Sequence, residues 1–239
     1  MPKKSGKGKE KKMKRKEEAA KVAVAMAAVT KANQIEKPME SLVAFSSFNR
    51  NGVNVSVECL RSTAMSAEDK DWAYTLTRDN MKDTYVSCGW GWNDHDKRDE
   101  IFDERAWFII ARSAEDNAPL GLVNFRFDID EQVEVLYVYE IQLERSVRRK
   151  GLGRFMMQLT QLIAAKASMA KVVATVFKEN MASMKFFLQV LKFDYDDTSP
   201  CVCDPGNGED YAHEIVSKRL RPVQAAVAVV PAASAAAVA

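Results

Sequence analysis

The sequence predicts an α/β (α+β) domain in which a mixed, mostly antiparallel sheet of about seven strands is flanked by helices. Segments rich in β-branched and aromatic residues alternate with segments whose apolar residues recur every three or four positions, as strands and amphipathic helices require. The strand-like segment Val133–Leu143, a helical segment from Leu152 and the strand-like segment Lys171–Phe177 follow one another. Because a strand, a helix and a strand in this order form a parallel pair, the sheet is mixed. An apolar content of 47% suffices for a core.

The two ends of the chain differ in composition from its centre. Residues 1–16 hold nine Lys or Arg against one Glu, a net charge of +8, so the rest carries −6 in a total of +2. We expect a basic disordered arm at 1–16, a helix at 17–36 that packs on the domain, the domain at 50–221, and a disordered Ala/Val-rich tail at 222–239. The acidic body suits a cationic substrate. The arm suits nucleic acid, a nuclear import receptor or an acidic protein, or is only a solvated tail.

The first half of the chain supplies helices and the first strands. The Ala-rich helix places Val22, Met26 and Val29 on one stripe. A second helix begins at Ser66, whose side chain is expected to cap it, and runs to about Tyr85. Strands are predicted at residues 53–60, 106–113 and 118–130, a turn at 49–52, and a charged helix or loop at 94–104.

Two clusters in this half each have two interpretations. Trp90 and Trp92 lie between glycines in a loop, where they either anchor the loop to the core or line a pocket. The carboxylates of Asp128, Asp130 and Glu131 follow a strand. They form either an ordinary hairpin tip or the mouth of a site for a positively charged peptide.

The segment 147–154 joins the strand Val133–Leu143 to the helix that follows. Gly151 and Gly153 allow a tight turn at the start of this helix, where unpaired N–H groups and the positive end of the dipole attract anions. The turn lacks the Lys-Ser/Thr ending of a Walker loop and the three glycines of a dinucleotide fingerprint. It predicts a bound phosphate or pyrophosphate, although a helix start with solvated cations has the same pattern. Its cationic residues are Arg148, Arg149, Lys150 and Arg154.

The last part of the domain completes the sheet. Asn180 is expected to cap a helix that follows Lys171–Phe177. Residues 193–197 and 211–220 are predicted to form an antiparallel hairpin around a loop at 200–207.

Cysteine, histidine and hydropathy patterns exclude several classes of site. Four cysteines without Cys-x-x-Cys spacing or a preceding signal peptide predict neither a disulfide framework nor a zinc ribbon. With only His95 and His213 in the chain, we expect no metal site, and a Ser-His-Asp or Cys-His device would need one of these two. No apolar run approaches the roughly 20 residues of a membrane span. We therefore expect a metal-free monomer without membrane contact, in the nucleus and the cytoplasm.

The glycine turn resembles the Gln/Arg-x-x-Gly-x-Gly/Ala motif of the GCN5-related N-acetyltransferase (GNAT) superfamily, matched by Arg148, Gly151 and Gly153. The order of predicted elements is also that of this fold, in which the two parallel strands splay apart and the pantetheine arm of acetyl coenzyme A fills the gap. The resemblance implies acetyl-CoA as co-substrate, with Asn180 near its sulfur. The residues implied along the acetyl-pantetheine are Ile141, Gln142 and Leu143, and those at the pyrophosphate are Arg148, Arg149, Lys150, Gly151, Leu152, Gly153 and Arg154.

Several further segments resemble the NatD type of amino-terminal acetyltransferase, which is selective for histones. They are residues 50–56, 90–92, 125–128, 137–140, 147–153 and 196–200, and the resemblance covers residues 3–219. It implies acetylation of the α-amino group of histone tails beginning Ser-Gly-Arg-Gly, with no direct requirement for nucleic acid. The residues implied around the peptide are Tyr85, Trp90, Asp128, Ile129, Asp130, Tyr137, Tyr139, Thr175, Thr198, Tyr211 and His213.

Amine acetylation needs a base, and Glu140 is the candidate. An α-amine has a pKa of about 7.7 to 8.0 against about 10.4 for Lys, so a modest base suffices at neutral pH. Glu140 takes the proton directly or through a water, and a backbone N–H near Ile141 stabilises the oxyanion. Tyr139 donates to oxygen or sulfur. Asp128 and Asp130 hold a substrate Arg or the amine itself.

Two positions depart from the relatives, and two rival functions stay open. Many relatives carry a tyrosine after the Asn to protonate the departing thiolate, but Met184, Phe186 and Phe187 stand in that region, so the leaving-group acid is unassigned. His213 stands where NatD-type relatives carry a substrate-contacting tyrosine, with Tyr211 two residues earlier, so either contacts the peptide. The rivals are acetylation of a Lys side chain or a polyamine, and a non-catalytic module that holds CoA while its basic arm binds chromatin.

Overall fold

A computed structural model describes residues 6–220, so the start of the basic arm and the predicted tail at 222–239 lie outside the described residues. Eight strands form one sheet in the order β1-β2-β3-β4-β5-β6-β8-β7. The predicted fold class is confirmed. The strand beyond the predicted seven is short and covers part of the segment where the sequence indicated only a turn. None of the described helices has the length and hydropathy that a membrane span requires.

The secondary-structure elements have the following bounds. The strands are β1 Ser47–Arg50, β2 Val53–Arg61, β3 Trp107–Ser113, β4 Pro119–Asp130, β5 Val133–Leu143, β6 Lys171–Phe177, β7 Asp194–Tyr195 and β8 His213–Arg219. The helices are α1 Gly6–Asn33, α2 Ala67–Ser87, α3 Asp94–Ile101, α4 Leu152–Lys166, α5 Met181–Lys185 and α6 Pro200–Cys203. Helix α5 continues into a π-helical turn, Phe186–Val190.

Strands β5 and β6 form the one parallel pair of the described sheet, and they pair over only part of their length. Residues 135–138 of β5 pair with 171–174 of β6, after which the two strands separate. The crossover between them is helix α4, as the sequence predicted. Strand β6 keeps its antiparallel partner β8 up to Phe177, so only its β5 side is open. A gap therefore opens in the middle of the sheet, not at its edge.

Helix α1 differs from its prediction in length and in its contact face. It begins at Gly6, not at residue 17, because the Lys, Glu, Met and Arg residues between these positions are good helix formers. The predicted contact stripe was wrong at Met26, which is 55% exposed, whereas Ala25 and Ala32 are buried. The small alanine side chains let the helix lie close to strands β4 and β5.

The sheet separates two apolar cores. One face packs on α1, α4 and α5 through residues such as Phe125, Leu136 and Met156. The other face packs on α2 and α3 through a smaller cluster that includes Tyr74 and Phe108. Helix α2 begins as predicted, with Ser66 Oγ accepting a hydrogen bond from the Asp69 amide at 3.1 Å. Because α2 and α3 lie over the same face as the open end of β5, they can supply side chains to the gap.

Candidate active site

The gap between β5 and β6 exposes backbone groups of a strand in the interior of the sheet. From Tyr139 to Leu143, β5 has no strand partner on its β6 side among residues 6–220. An unpaired strand edge offers N–H and C=O groups in the spacing that an extended ligand needs. Ile141, Gln142 and Leu143, predicted to meet the acetyl-pantetheine, all lie on this segment. Their position fits a narrow, amide-containing ligand that completes the sheet.

The glycine turn leads from this segment into α4. Gly151 is the residue before the helix and has a φ of +96°, a left-handed conformation that favours glycine. Arg149 also has a positive φ, of 62°. Left-handed residues in a turn orient successive amides into one concavity, and the first amides of α4 have no partner inside the helix. The backbone here is suited to binding an anion.

Gly153 allows the start of α4 to approach β5 closely. A Cβ atom at this position would lie 3.3 Å from Leu143 and 3.5 Å from Phe186. The neighbouring Leu152 is fully buried in the main core, which fixes the helix start to the sheet. The anion-binding turn and the exposed edge of β5 are therefore held next to each other.

The cations of the turn divide into two groups. Arg149 and Arg154 are exposed and Lys150 is half-buried, as residues that meet a pyrophosphate would be. Arg148 is different, because its Nε donates to the Leu143 carbonyl at 3.0 Å and its Nη2 to Asn80 Oδ1 at 2.6 Å. Arg148 therefore ties the turn to β5 and α2, and its predicted contact with the pyrophosphate stays a prediction.

Asn51 also holds the glycine turn, which the sequence did not indicate. Its Nδ2 donates to the Lys150 carbonyl at 2.9 Å from the turn between β1 and β2. We expect Asn51→Gly to weaken binding of CoA about threefold in calorimetric titration, because one neutral hydrogen bond is lost. Asn117→Gly is the matched control, since both asparagines have a positive φ and Asn117 lies in the distant β3–β4 turn. Equal affinities in both variants would contradict a role for Asn51.

A β-bulge in β5 determines which side chains face α2 and α3. Asn124 pairs with Glu140 and Phe125 with Val138, so Tyr139 is the extra residue between them. After a bulge the alternation of side chains is displaced by one residue. Tyr137 and Tyr139 consequently lie on one face with their ring centroids 5.3 Å apart, and Glu140 reaches α3 on the same side.

Glu140, the predicted base, is 5% exposed and both of its oxygens have partners. Oε1 lies 2.8 Å from Lys97 Nζ, and Oε2 accepts a hydrogen bond from Gln142 Nε2 at 2.8 Å. Gln142 Oε1 in turn accepts from Asn80 Nδ2 at 3.0 Å. Because Asn80 also contacts Arg148, a continuous chain of polar side chains links the glycine turn to Glu140.

Lys97 is the main site residue that sequence reasoning missed. It lies on α3, is 6% exposed, and donates to Tyr85 Oη and Glu100 Oε2, each at 2.8 Å, besides its ion pair with Glu140. Burial alone would lower the pKa of Lys97, but Glu140, Tyr85 and Glu100 outweigh it and raise the pKa. No sequence signal distinguishes Lys97 from the charged residues around it.

The aromatic residues resolve the interpretation of the Trp90–Trp92 loop. Trp92 is partly buried, packs on the second core and donates to Asp94 Oδ1, so it anchors the loop. Trp90 is 50% exposed and meets Phe177 at 4.8 Å and His213 at 5.1 Å between ring centroids, so it lines the open end of the gap.

Tyr85 and His213 complete this aromatic wall. The Tyr85 ring contacts Phe177 with centroids 4.8 Å apart, and burial, followed by the charge of Glu140, raises the pKa of Tyr85 to about 12. Burial lowers the pKa of His213. Tyr211 lies just before β8 in extended backbone, and its ring centroid is 6.2 Å from that of His213, so the two rings are neighbours and the choice between them stays open.

The carboxylates at the β4–β5 turn form a hairpin tip at the start of β5, the opposite end of that strand from its open edge. Asp128 is 38% exposed and lies 3.9 Å from Arg105. Asp130 shares Lys171 with Asp196, at 3.4 Å and 2.7 Å respectively. Ile129 lies between the two aspartates on the same rim. The rim is therefore acidic but partly neutralised by cations of the protein.

Hydrogen bonds connect the remaining predicted substrate residues to this rim. Tyr137 Oη and Thr175 Oγ1 are 2.6 Å apart across β5 and β6. Burial raises the pKa of Tyr137, while the Thr175 hydrogen bond opposes the rise. Thr198 Oγ1 donates to Asp196 Oδ1 at 2.8 Å, so Thr198 fixes an acidic neighbour of the site. The Arg126 guanidinium, which the sequence did not indicate, lies 4.1 Å from the Tyr139 ring centroid.

Asn180 caps α5 as predicted, with its Oδ1 accepting from the Ser183 amide at 3.1 Å. It follows β6 at the open end of the gap, where the resemblance places the cofactor sulfur. Within residues 6–220 no cluster of three or more His, Cys, Asp or Glu side chains has an arrangement that could hold a metal.

A splayed parallel pair beside an anion-binding helix start defines an acyltransferase that uses CoA. Residues 73–193 match the family model described as the acetyltransferase (GNAT) family. The chain belongs to this family, and it is an acetyltransferase with acetyl-CoA as its acetyl donor.

Solved structures agree on the fold. The NatC complex bound to Gag peptide and CoA superposes with a TM-score of 0.51 at 11% identity, over 70% of this chain and 99% of that chain. A GNAT family acetyltransferase from Listeria monocytogenes gives a TM-score of 0.50 at 12% identity, over 73% of this chain and 99% of that one. At these identities the likeness concerns the fold and not the substrate.

Proposed function

We propose that the chain acetylates the α-amine of peptides beginning Ser-Gly-Arg-Gly, as the NatD type of acetyltransferase does with histone tails. One observation carries the proposal: the buried carboxylate of Glu140 lies beside the gap between β5 and β6, with an aromatic wall at the end of β6 and acidic residues at the start of β5. Such a site receives a small cationic group next to a bound thioester. An α-ammonium followed two residues later by an arginine has this charge pattern.

Each side chain has a distinct part in the proposed reaction. Asp128 and Asp130 hold the peptide by its positive charges, and Trp90 with Tyr85 limits the access of water. Glu140 takes the proton of the amine, directly or through a water, as the nitrogen attacks the acetyl carbon. Bound acetyl-CoA supplies the activated acyl group as a thioester. Backbone N–H groups of the open β5 edge donate to the acyl oxygen.

The basicity of the amine favours an α-amine over a lysine side chain. An α-amine loses its proton near pH 8, whereas Lys does so above pH 10, so a larger fraction of α-amines is neutral and able to attack at neutral pH. The rival function, acetylation of Lys side chains or polyamines, would have to remove the proton of a more basic amine.

Three substrates test the proposal with the purified full chain. The first is a Ser-Gly-Arg-Gly peptide that contains an internal Lys, the second is the same peptide with its N-terminus blocked, and the third is a polyamine. We expect acetyl transfer to the first only, detected by mass spectrometry. Transfer to the blocked peptide or the polyamine would overturn α-amine selectivity. Tight CoA binding without transfer to any of them would instead favour a non-catalytic module.

A further inference from the structure

Lys97 places a buried positive charge inside an otherwise acidic site. Lys97 Nζ donates hydrogen bonds to Tyr85 and Glu100 and forms an ion pair with Glu140 Oε1, each at 2.8 Å. A buried charge is strongly unfavourable unless it is paired and hydrogen-bonded. The contacts of Lys97 meet this requirement. At most other positions of α3 a lysine would instead be exposed to solvent.

The three partners of Lys97 come from three separate elements that meet only in the folded domain. Tyr85 lies on α2, Glu100 on α3 and Glu140 on β5, and these are the titratable groups that the structure places against the Lys97 ammonium. One ammonium and two carboxylates leave a net charge of −1. The cluster is therefore one positive charge short of neutrality, which is the charge of a protonated α-amine.

We propose that Lys97 is a positioning residue of the acetyl transfer, which fixes the orientation of Glu140 beside the gap and holds Tyr85 in the aromatic wall. The inference rests on the proposed function and adds a residue that acts through Glu140 without contacting the substrate. Lys97 is ion-paired with Oε1 and Gln142 occupies one lone pair of Oε2, so Glu140 keeps a lone pair for the amine proton or a water.

The same contact determines the hydrogen bonding of Tyr85. An ammonium group only donates, so the Tyr85 oxygen accepts from Lys97 and its own O–H proton is left to donate elsewhere. The ring of Tyr85 lies against Phe177 at the end of β6, across the gap from β5. Lys97 thus fixes the position of the Tyr85 hydroxyl as well as that of Glu140.

Two variants separate the charge of Lys97 from its effect on position. Lys97→Met removes the ammonium, whereas Asn80→Ala removes the hydrogen bond that steadies Gln142 on the other side of Glu140 and leaves the charge in place. We would measure kcat and KM from pH 6 to 9 with the full chain, acetyl-CoA and the Ser-Gly-Arg-Gly peptide. Lys97→Arg, which keeps the charge, tests rescue.

We expect Lys97→Met to lower kcat about fivefold at neutral pH with an unchanged KM for acetyl-CoA. Because a carboxylate without its cation holds a proton more readily, the acidic limb of the profile should move to higher pH by about one unit. Asn80→Ala should lower kcat without moving the acidic limb. Lys97→Arg should have the acidic limb at its wild-type pH. An unmoved limb in Lys97→Met, or an equal displacement in Asn80→Ala, would overturn the inference.

The double variant Lys97→Met/Glu140→Gln covers the case in which Lys97→Met fails to fold. It leaves no unpaired charge from the pair in the core, and such neutral replacements are commonly tolerated. If Lys97 acts through Glu140, the double variant should have the kcat of Glu140→Gln alone. A much lower kcat would contradict the inference. If the wild-type protein acetylates no α-amine, the proposed function itself is wrong. If the wild-type protein is active and Lys97→Met has the same kcat and pH profile, only this inference is wrong.

Discussion

Glu140→Gln is expected to lower kcat for α-amine acetylation by about 100-fold or more at neutral pH, because general-base catalysis contributes factors of this size. The amide keeps the shape of the side chain but cannot take the amine proton. CoA binding should change less than about twofold, since the amides of the glycine turn and the backbone edge of β5 are unaffected. Steady-state assays of thiol release would measure kcat, and calorimetric titration would measure the affinity for CoA.

The control for this variant is Glu134→Gln, a half-buried glutamate near the other end of the same strand. It removes one negative charge from β5 at a distance from the gap and should leave kcat within about twofold. If Glu140→Gln retained more than about a third of wild-type turnover, Glu140 would not be the base. His213, whose lowered pKa leaves it neutral at pH 7, would then be the next residue to change.

The elements predicted most accurately were those that local sequence determines. Strands β5 and β6 have the predicted bounds, because uninterrupted runs of β-branched and aromatic residues form buried strands irrespective of their neighbours. The caps at Ser66 and Asn180 were also predicted, since each side chain accepts a backbone amide three residues away. The glycine turn belongs to the same category. Its suitability for an anion follows from backbone geometry alone.

The contacts that the sequence could not reveal join residues far apart in the chain. Lys97 meets Glu140, and Asn51 meets Lys150, only because the sheet brings α3 and the β1–β2 turn beside β5 and α4. Arg148 was interpreted as a phosphate ligand because any arginine in a glycine turn has that potential. Its contact with Asn80 on α2 is a tertiary fact without a local signal. Such contacts can be identified only from the folded structure.

The β-bulge at Tyr139 explains why even the β5 site residues could not be placed fully. With strict alternation, Glu140 would face away from Tyr137 and Tyr139. The extra residue brings all three to the α2 and α3 side, and a bulge has no reliable sequence pattern unless a glycine marks it. Glu140 and the two tyrosines therefore share a face for a reason that the sequence did not contain, and their joint action stays a prediction.

Asp128→Asn is expected to lower kcat/KM for a Ser-Gly-Arg-Gly peptide about tenfold, while kcat/KM for the matching Ser-Gly-Ala-Gly peptide changes less than about twofold. A hydrogen bond between two charged groups contributes about 1.5 to 3 kcal/mol, and each 1.4 kcal/mol is a factor of ten. The lower end applies because Asp128 is 38% exposed and solvent screens its charge. Competition assays with both peptides in one reaction would measure the ratio directly.

The comparison of peptides identifies which substrate group Asp128 holds. If Asp128 binds the arginine, the variant loses its effect once that arginine is alanine, and the wild-type preference for the arginine peptide should weaken as salt is raised. If Asp128 binds the α-amine, both peptides lose activity equally, which would contradict the prediction. Asp116→Asn, on the exposed β3–β4 turn, controls for net charge. Arg105 lies 3.9 Å from Asp128 and competes with the substrate guanidinium, which also favours the lower end of the range.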